Sequence, residues 1–173
     1  AGAATFTNAT AIQITGSTSA GSLDVPVLRV PLKVFASPCN PALITNFRFN
    51  TAGTTSAGDI VSAKLYKTGA TSAFSTSNLV GTLSTPNGVM EFVVSDTANN
   101  DTNYYWLAYD ISSAATNNNV LDARFDSTEV FGSFRLPING NPTGNRLIAT
   151  PMTYVSSTSV HTDLSSVQPN STN

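Results

Sequence analysis

The chain has 173 residues, enough for one domain that buries a core without disulfide or metal staples. Only 10% of its residues are Asp, Glu, Lys or Arg, well below the roughly 25% of an ordinary soluble domain. The Lys and Arg residues are scattered singly and form no stripe for phosphates, so nucleic acid is excluded as a partner. No apolar run approaches the ~20 residues of a membrane-spanning helix, so membrane insertion is not expected either. The opening AGAATF carries the small residues with which a mature secreted chain begins, and the Ser/Thr/Asn-rich polar surface points the same way, to an extracellular or cell-surface location.

In chain order, period-two alternation recurs between turn residues, and helical periodicity is absent. Residues 25–35, VPVLRVPLKVF, form a long extended segment with Val25 and Val27 apart from the outward Arg29 and Lys33. Pro26 and Pro31 lack the ladder N–H, which predicts a sheet edge or a break where the segment crosses between sheets. Residues 42–50 set Leu43, Thr45, Phe47 and Phe49 on one face and Asn46 and Arg48 on the other. Residues 59–67 alternate Val61, Ala63 and Leu65 with Ser62, Lys64 and Tyr66. Strands over 78–84 and 89–95 flank a TPNG turn, and the loop SDTANNDTN leads to YYWLAYDI (104–111), the most apolar strand. Residues 117–127 read as one strand with Leu121, Ala123 and Phe125 inward. A loop over 137–144 precedes a last strand over 145–150.

This pattern predicts an all-β, immunoglobulin-like two-sheet antiparallel sandwich with extended N- and C-terminal strands. The module covers 1–150, and 151–173 is a strand and tail donated to, or opening, a neighbouring unit. The predicted core is Phe47, Phe49, Leu65, Phe92, Tyr105, Leu107, Tyr109, Leu121 and Phe125. Asp101, Tyr105 and Leu107 also have the spacing of a tyrosine corner, in which the Tyr hydroxyl bonds back to the preceding chain.

Little in the sequence points to chemistry. Cys39 is the single cysteine and reads as a small buried hydrophobe. His161 stands two residues from Asp163 in an alternating segment with no nucleophile elbow, so no triad is expected. One histidine and one cysteine cannot build a zinc site, and no cofactor is expected. The loop carrying Asp96, Asn99, Asn100 and Asp101 is the one calcium candidate, but it lacks Gly-punctuated spacing, and Asx-turn chemistry is the plainer expectation. Tyr104 and Trp106 share the face opposite Tyr105; on a strand covered on one side only, they would be exposed and could stack on a sugar. A strand apolar on both faces is instead more often covered on both.

The runs ITNFRFNTAGTT, DIVSAKLYKTGATSAFSTSNLVGTL, TNYYWLAYDISSAATNNNVLDARFDS and GNRLI resemble, over residues 25–150, the β-sandwich domain at the N-terminus of BNR-repeat neuraminidase-like proteins, repeated in large bacterial surface proteins. The resemblance implies an extracellular, bacterial module that accompanies other domains. It brings no catalytic residues, because the sialidase chemistry belongs to separate propellers whose Asp-box repeats this chain lacks. The two prolines of VPVLRVPLKVF depart from the family pattern.

The C-terminal stretch PMTYVSSTSVHTDLSSVQPNSTN repeats the shape of the N-terminal ATFTNATAIQITGSTSAGSLDVP, with few identities. Its residues Tyr154, Val155, Ser157, Val160 and Thr162 belong to the expected inter-subunit strand, completing a neighbour's sheet in a head-to-tail polymer or tandem array. The sequence reading is therefore a non-enzymatic fibre subunit or surface-adhesin repeat, with a carbohydrate-binding accessory module as the alternative.

Overall fold

The computed structural model describes residues 4–37 and 40–150. Cys39, His161 and the expected inter-subunit strand over 152–162 lie outside them. The described strands are β1 (Thr5–Ala9), β2 (Ile12–Gln13), β3 (Gly16–Thr18), β4 (Val25–Phe35), β5 (Ala42–Asn50), β6 (Ile60–Gly69), β7 (Leu79–Ser84), β8 (Val89–Ala98), β9 (Asp101–Ile111), β10 (Val120–Leu121), β11 (Arg124–Val130), β12 (Ser133–Arg135) and β13 (Arg146–Ile148). Among the described residues a single 3-10 turn, Ala57–Asp59, leads into β6. No helix among the described residues is long and apolar enough to cross a membrane.

The strands pack as an all-β sandwich. The front sheet runs β1-β4-β9-β6-β7, with β2 beside β4; the back sheet runs β12-β11-β5-β8. A small third sheet, β10-β13-β3, includes one parallel pair, β13 with β3. All nine predicted core residues are 2% exposed or less. The Phe47 ring from the back sheet meets the Tyr105 ring from the front sheet at 4.6 Å, and Phe49 packs on Phe125 at 5.1 Å and on Phe92 edge-on at 5.9 Å. These offset and edge contacts fill the space between the sheets.

Four expectations need correction. The strand with two prolines is interior: β4 pairs with β9 from Val25 to Val34 and with β1 and β2 on its other side. The Pro31 carbonyl accepts from the Thr10 amide, and the Pro26 carbonyl accepts from Arg146 Nη1. Both prolines therefore turn their missing N–H away from β9, and Pro31 falls where β1 gives way to β2. The second correction concerns faces. A register shift between Ile44 and Asn46 reverses the alternation, so Ile44 is buried and Leu43 is 44% exposed, while Thr45 bonds outward to Glu129. A shift between Ile60 and Ser62 does the same in β6, leaving Val61 52% exposed. Such bulges move every earlier side chain to the opposite face.

Third, SDTANNDTN is not a loop: β8 and β9 run through it, and the chain crosses from back sheet to front at Asn99 and Asn100. Fourth, the strand over 117–127 breaks between β10 and β11, because the Thr54 hydroxyl engages both the N–H and the C=O of Asp122. The hairpin joining β11 to β12 was not expected. Its turn residues Phe131 and Gly132 both have positive φ, 54° and 69°, the backbone of a tight two-residue hairpin.

The segment 137–140 closes one side of the sandwich. The Ile138 N–H donates to the Ala9 carbonyl, and the Phe125 N–H donates to the Gly140 carbonyl, tying the front-sheet edge to the back sheet. A Cβ on Gly140 would collide with the Phe125 carbonyl oxygen, so only glycine allows this approach.

Truncation of the inter-sheet ring, Phe47→Ala, is expected to destabilise the fold by about 3–5 kcal/mol. A urea titration followed by tryptophan fluorescence measures it. A loss under 1 kcal/mol would mean that the sheets are not held together at this point.

Candidate functional site

The outward side of the front sheet carries the richest chemistry. Because Tyr105, Leu107 and Tyr109 of β9 face the core, Tyr104, Trp106, Ala108 and Asp110 face out, and across β6 the outward partners are Ser62, Lys64, Tyr66 and Thr68. The loop over 70–78, which joins β6 to β7, folds back over this face. Its Phe74 packs edge-on against Tyr66 at 5.7 Å and against Trp106 at 5.4 Å. Trp106 is consequently only 4% exposed, and its indole N–H donates to the Thr68 hydroxyl. Arg29 lies over both the Tyr104 and Trp106 rings and donates to the Ser72 carbonyl, holding the loop down.

The exposure needed for sugar stacking is therefore missing at Trp106, although Tyr104 stays half-buried at the margin. The sequence pattern placed these two side chains on one face correctly. It could not show that a distant loop would supply Phe74 as their cover.

Beside the aromatic group sits an ionic cluster. Lys64 Nζ lies 2.8 Å from Asp24 Oδ1 and 2.8 Å from Asp110 Oδ2. Asp110 also accepts from the Ser62 hydroxyl at 2.7 Å and from the Asp24 amide at 2.9 Å, and the Tyr66 hydroxyl donates to Asp24. Burial raises the Asp110 pKa, but the bonds from Lys64 and Ser62 outweigh it, and the net shift is downward. For Lys64, burial works against the charge, and the two carboxylates more than reverse that, raising its pKa. Burial, with the bond to Asp24, pushes Tyr66 up to about 12. Asp24 has a φ of 53°, so the cluster also pins a left-handed residue where the chain enters β4. Every group here is bonded to another, and the arrangement works as a clamp.

The calcium candidates diverge rather than converge. Asp96 lies on β8, accepting from the Tyr105 hydroxyl at 2.6 Å and from Lys67 Nζ at 3.0 Å. Asn99 is bound through its backbone to the Asn103 side chain, Asn100 accepts from the Ala36 amide, and Asp101 pairs with Lys33 at 3.4 Å. These are corner-forming bonds of the Asx kind. Among the described residues no three His, Cys, Asp or Glu side chains gather as metal ligands. The tyrosine corner is also modified: Tyr105 bonds back to the chain, but through the Asp96 carboxylate rather than near Asp101.

The other acids among the described residues are similarly engaged. Asp59 accepts from the Thr116 amide and Asn119, Glu91 from Asn46 and Arg48, Asp126 from Arg124, Glu129 from Thr45, and Asp122 from the Ala123 amide. Burial raises the Asp122 pKa.

The clamp sets a pH dependence. With its folded pKa depressed, Asp110 contributes stability in full above the ordinary carboxylate pKa of about 4 and loses it as pH falls through the lowered value. Asp110→Asn is expected to cost about 2 kcal/mol at pH 7 and to flatten the acid limb of a stability–pH curve; an unchanged acid limb would remove Asp110 from this role. In comparisons with known proteins, no family model matches the chain, and neither does any curated protein. Among solved structures it is similar to Hadza microbial sialidase Hz136, with a TM-score of 0.62 at 13% identity. The match covers 80% of this chain and 30% of that one, so the chain spans less than a third of that sialidase's length and shares a β fold with it.

Proposed function

We propose that the chain is a non-catalytic, extracellular β-sandwich module that accompanies carbohydrate-active domains. The observation that carries this reading is the fold likeness, in which most of this chain corresponds to under a third of a longer sialidase. The engaged carboxylates add support, since glycoside hydrolysis requires two acids converging on one bond. So does the polar surface, which is built from Ser, Thr and Asn and suits hydrogen bonding to neutral polyols better than to ions.

A glycan array probed with the full chain, together with a fluorogenic sialoside assay, tests both halves of the proposal. Binding to a subset of glycans without turnover is expected. Turnover would sink the non-catalytic half, and a blank array would sink the carbohydrate half.

Self-association is a second reading, favoured by a specific surface. Phe134, Leu136 and Ile138 project outward from one extended segment and are 58%, 77% and 79% exposed. Apolar strips of this kind mark protein contacts. The strand-donation form of this reading rests on residues 152–162, outside the described residues. Sedimentation of the full chain across a concentration series should show association that Leu136→Asp abolishes. If deletion of 151–173 abolishes it while Leu136→Asp does not, the ridge is the wrong surface.

A further inference from the structure

We propose that the groove at the β6–β7 end of the sandwich binds a neutral oligosaccharide. This rests on the carbohydrate reading above and gives it a site. The groove offers about 490 Å³, within the roughly 300–1,000 Å³ of small-molecule sites. Thr71, Ser77 and Asn78 supply hydroxyls and an amide, while the Thr68 hydroxyl is taken by the Trp106 indole and the Thr71 carbonyl, the Ser75 hydroxyl is bonded to Ser77, and Gly69 and Ala73 add no bulky side chain. Nothing lies within 4 Å of where a Cβ on Gly69 would stand, so that part of the groove is open.

The lining selects for charge. It contains no carboxylate, and its one cation, Lys67, is turned away to Asp96 at 3.0 Å and to the Thr97 carbonyl. What remains is a set of neutral groups that can donate and accept, the chemistry that matches sugar hydroxyls. An anionic sugar would find no free cation here.

The groove is also pre-shaped. Its wall is the loop anchored by Phe74 on Tyr66 and Trp106 and by Arg29 on the Ser72 carbonyl. Within it the Thr71 amide donates to the Thr68 carbonyl at 3.2 Å, and the Lys67 amide donates to the Asn78 carbonyl at 3.0 Å. A wall ordered before binding spares the ligand that cost. The buried aromatic group thus supports the site without touching the sugar.

The test is an amide-resolved NMR titration of the full chain with lactose, N-acetyllactosamine and maltotriose, with sialyllactose as the anionic comparator. At least one neutral sugar is expected to shift amides within 67–78, and the double variant T71V/N78A to weaken that binding about tenfold or more. Both substitutions are at the surface, and thermal melting of the variant verifies that it is folded. Phe74→Ala should weaken binding as well, by freeing the wall. Shifts elsewhere that T71V/N78A leaves intact would overturn the groove and leave the carbohydrate reading standing. Preference for sialyllactose within 67–78 would overturn the neutral class. No shift with any of the four sugars overturns the groove assignment, and the glycan array then decides separately whether the carbohydrate reading survives.

Discussion

Strand β9 carries a buried side chain at every position from Tyr105 to Ile111, and so has no solvent face along most of its length. A central strand covered on both sides obliges each of its polar atoms to find a partner within the protein. The Tyr105 hydroxyl reaches Asp96, the Trp106 indole reaches Thr68, the Tyr109 hydroxyl reaches the Asp122 carbonyl, and Asp110 takes Lys64 and Ser62. Each of these bonds recruits a different neighbour: β8, the end of β6, the β10–β11 break, and the middle of β6. The constraint on one strand thereby sets the arrangement around it.

Covering the outer face of β9 requires a second, smaller apolar layer. Tyr66, Trp106 and Ala108 form it, with Ile14 and Phe74 packed alongside. The clamp of Asp24, Lys64 and Asp110 lies beside this layer, where partial burial strengthens ion pairing that full solvent would weaken. The N-terminal chain just ahead of β4 is fixed by the clamp, and the β6–β7 loop is fixed by Phe74. Two segments without regular structure thus take definite positions from side chains on the sheet.

The sandwich and its core were legible because period-two alternation reports burial directly. What escaped was parity. Leu43 and Val61 look inward from their spacing, yet one extra residue at Thr45 and another near Val61 reverse the faces, and nothing local in ALITNFRFN or DIVSAKLYK marks a bulge. Pro26 and Pro31 misled for a related reason. A proline is excluded from an interior strand only on the side where a donor is required, and here the neighbouring chain interrupts its ladder on that side. The hairpin at Phe131 and Gly132 was hidden because a phenylalanine holds a positive φ that sequence reasoning assigns to Asn, Asp or Gly.

The same limit applies to the site. Tyr104 and Trp106 suggested stacking because a strand shows which residues share a face, while only the tertiary fold shows what lies on top of that face. Once Phe74 covers Trp106, the ring's contribution changes from contact to support. On the proposed reading, recognition falls to groups that the sequence displays everywhere and marks nowhere: single Thr, Ser and Asn side chains. In a chain with 10% charged residues, whose acids among the described residues are engaged internally, the free hydrogen-bonding capacity of the described surface is overwhelmingly neutral. The proposed ligand matches it by being neutral, polar and able both to donate and to accept. For the proposed neutral ligand, paired charges act by exclusion, where an exposed charge would act by attraction.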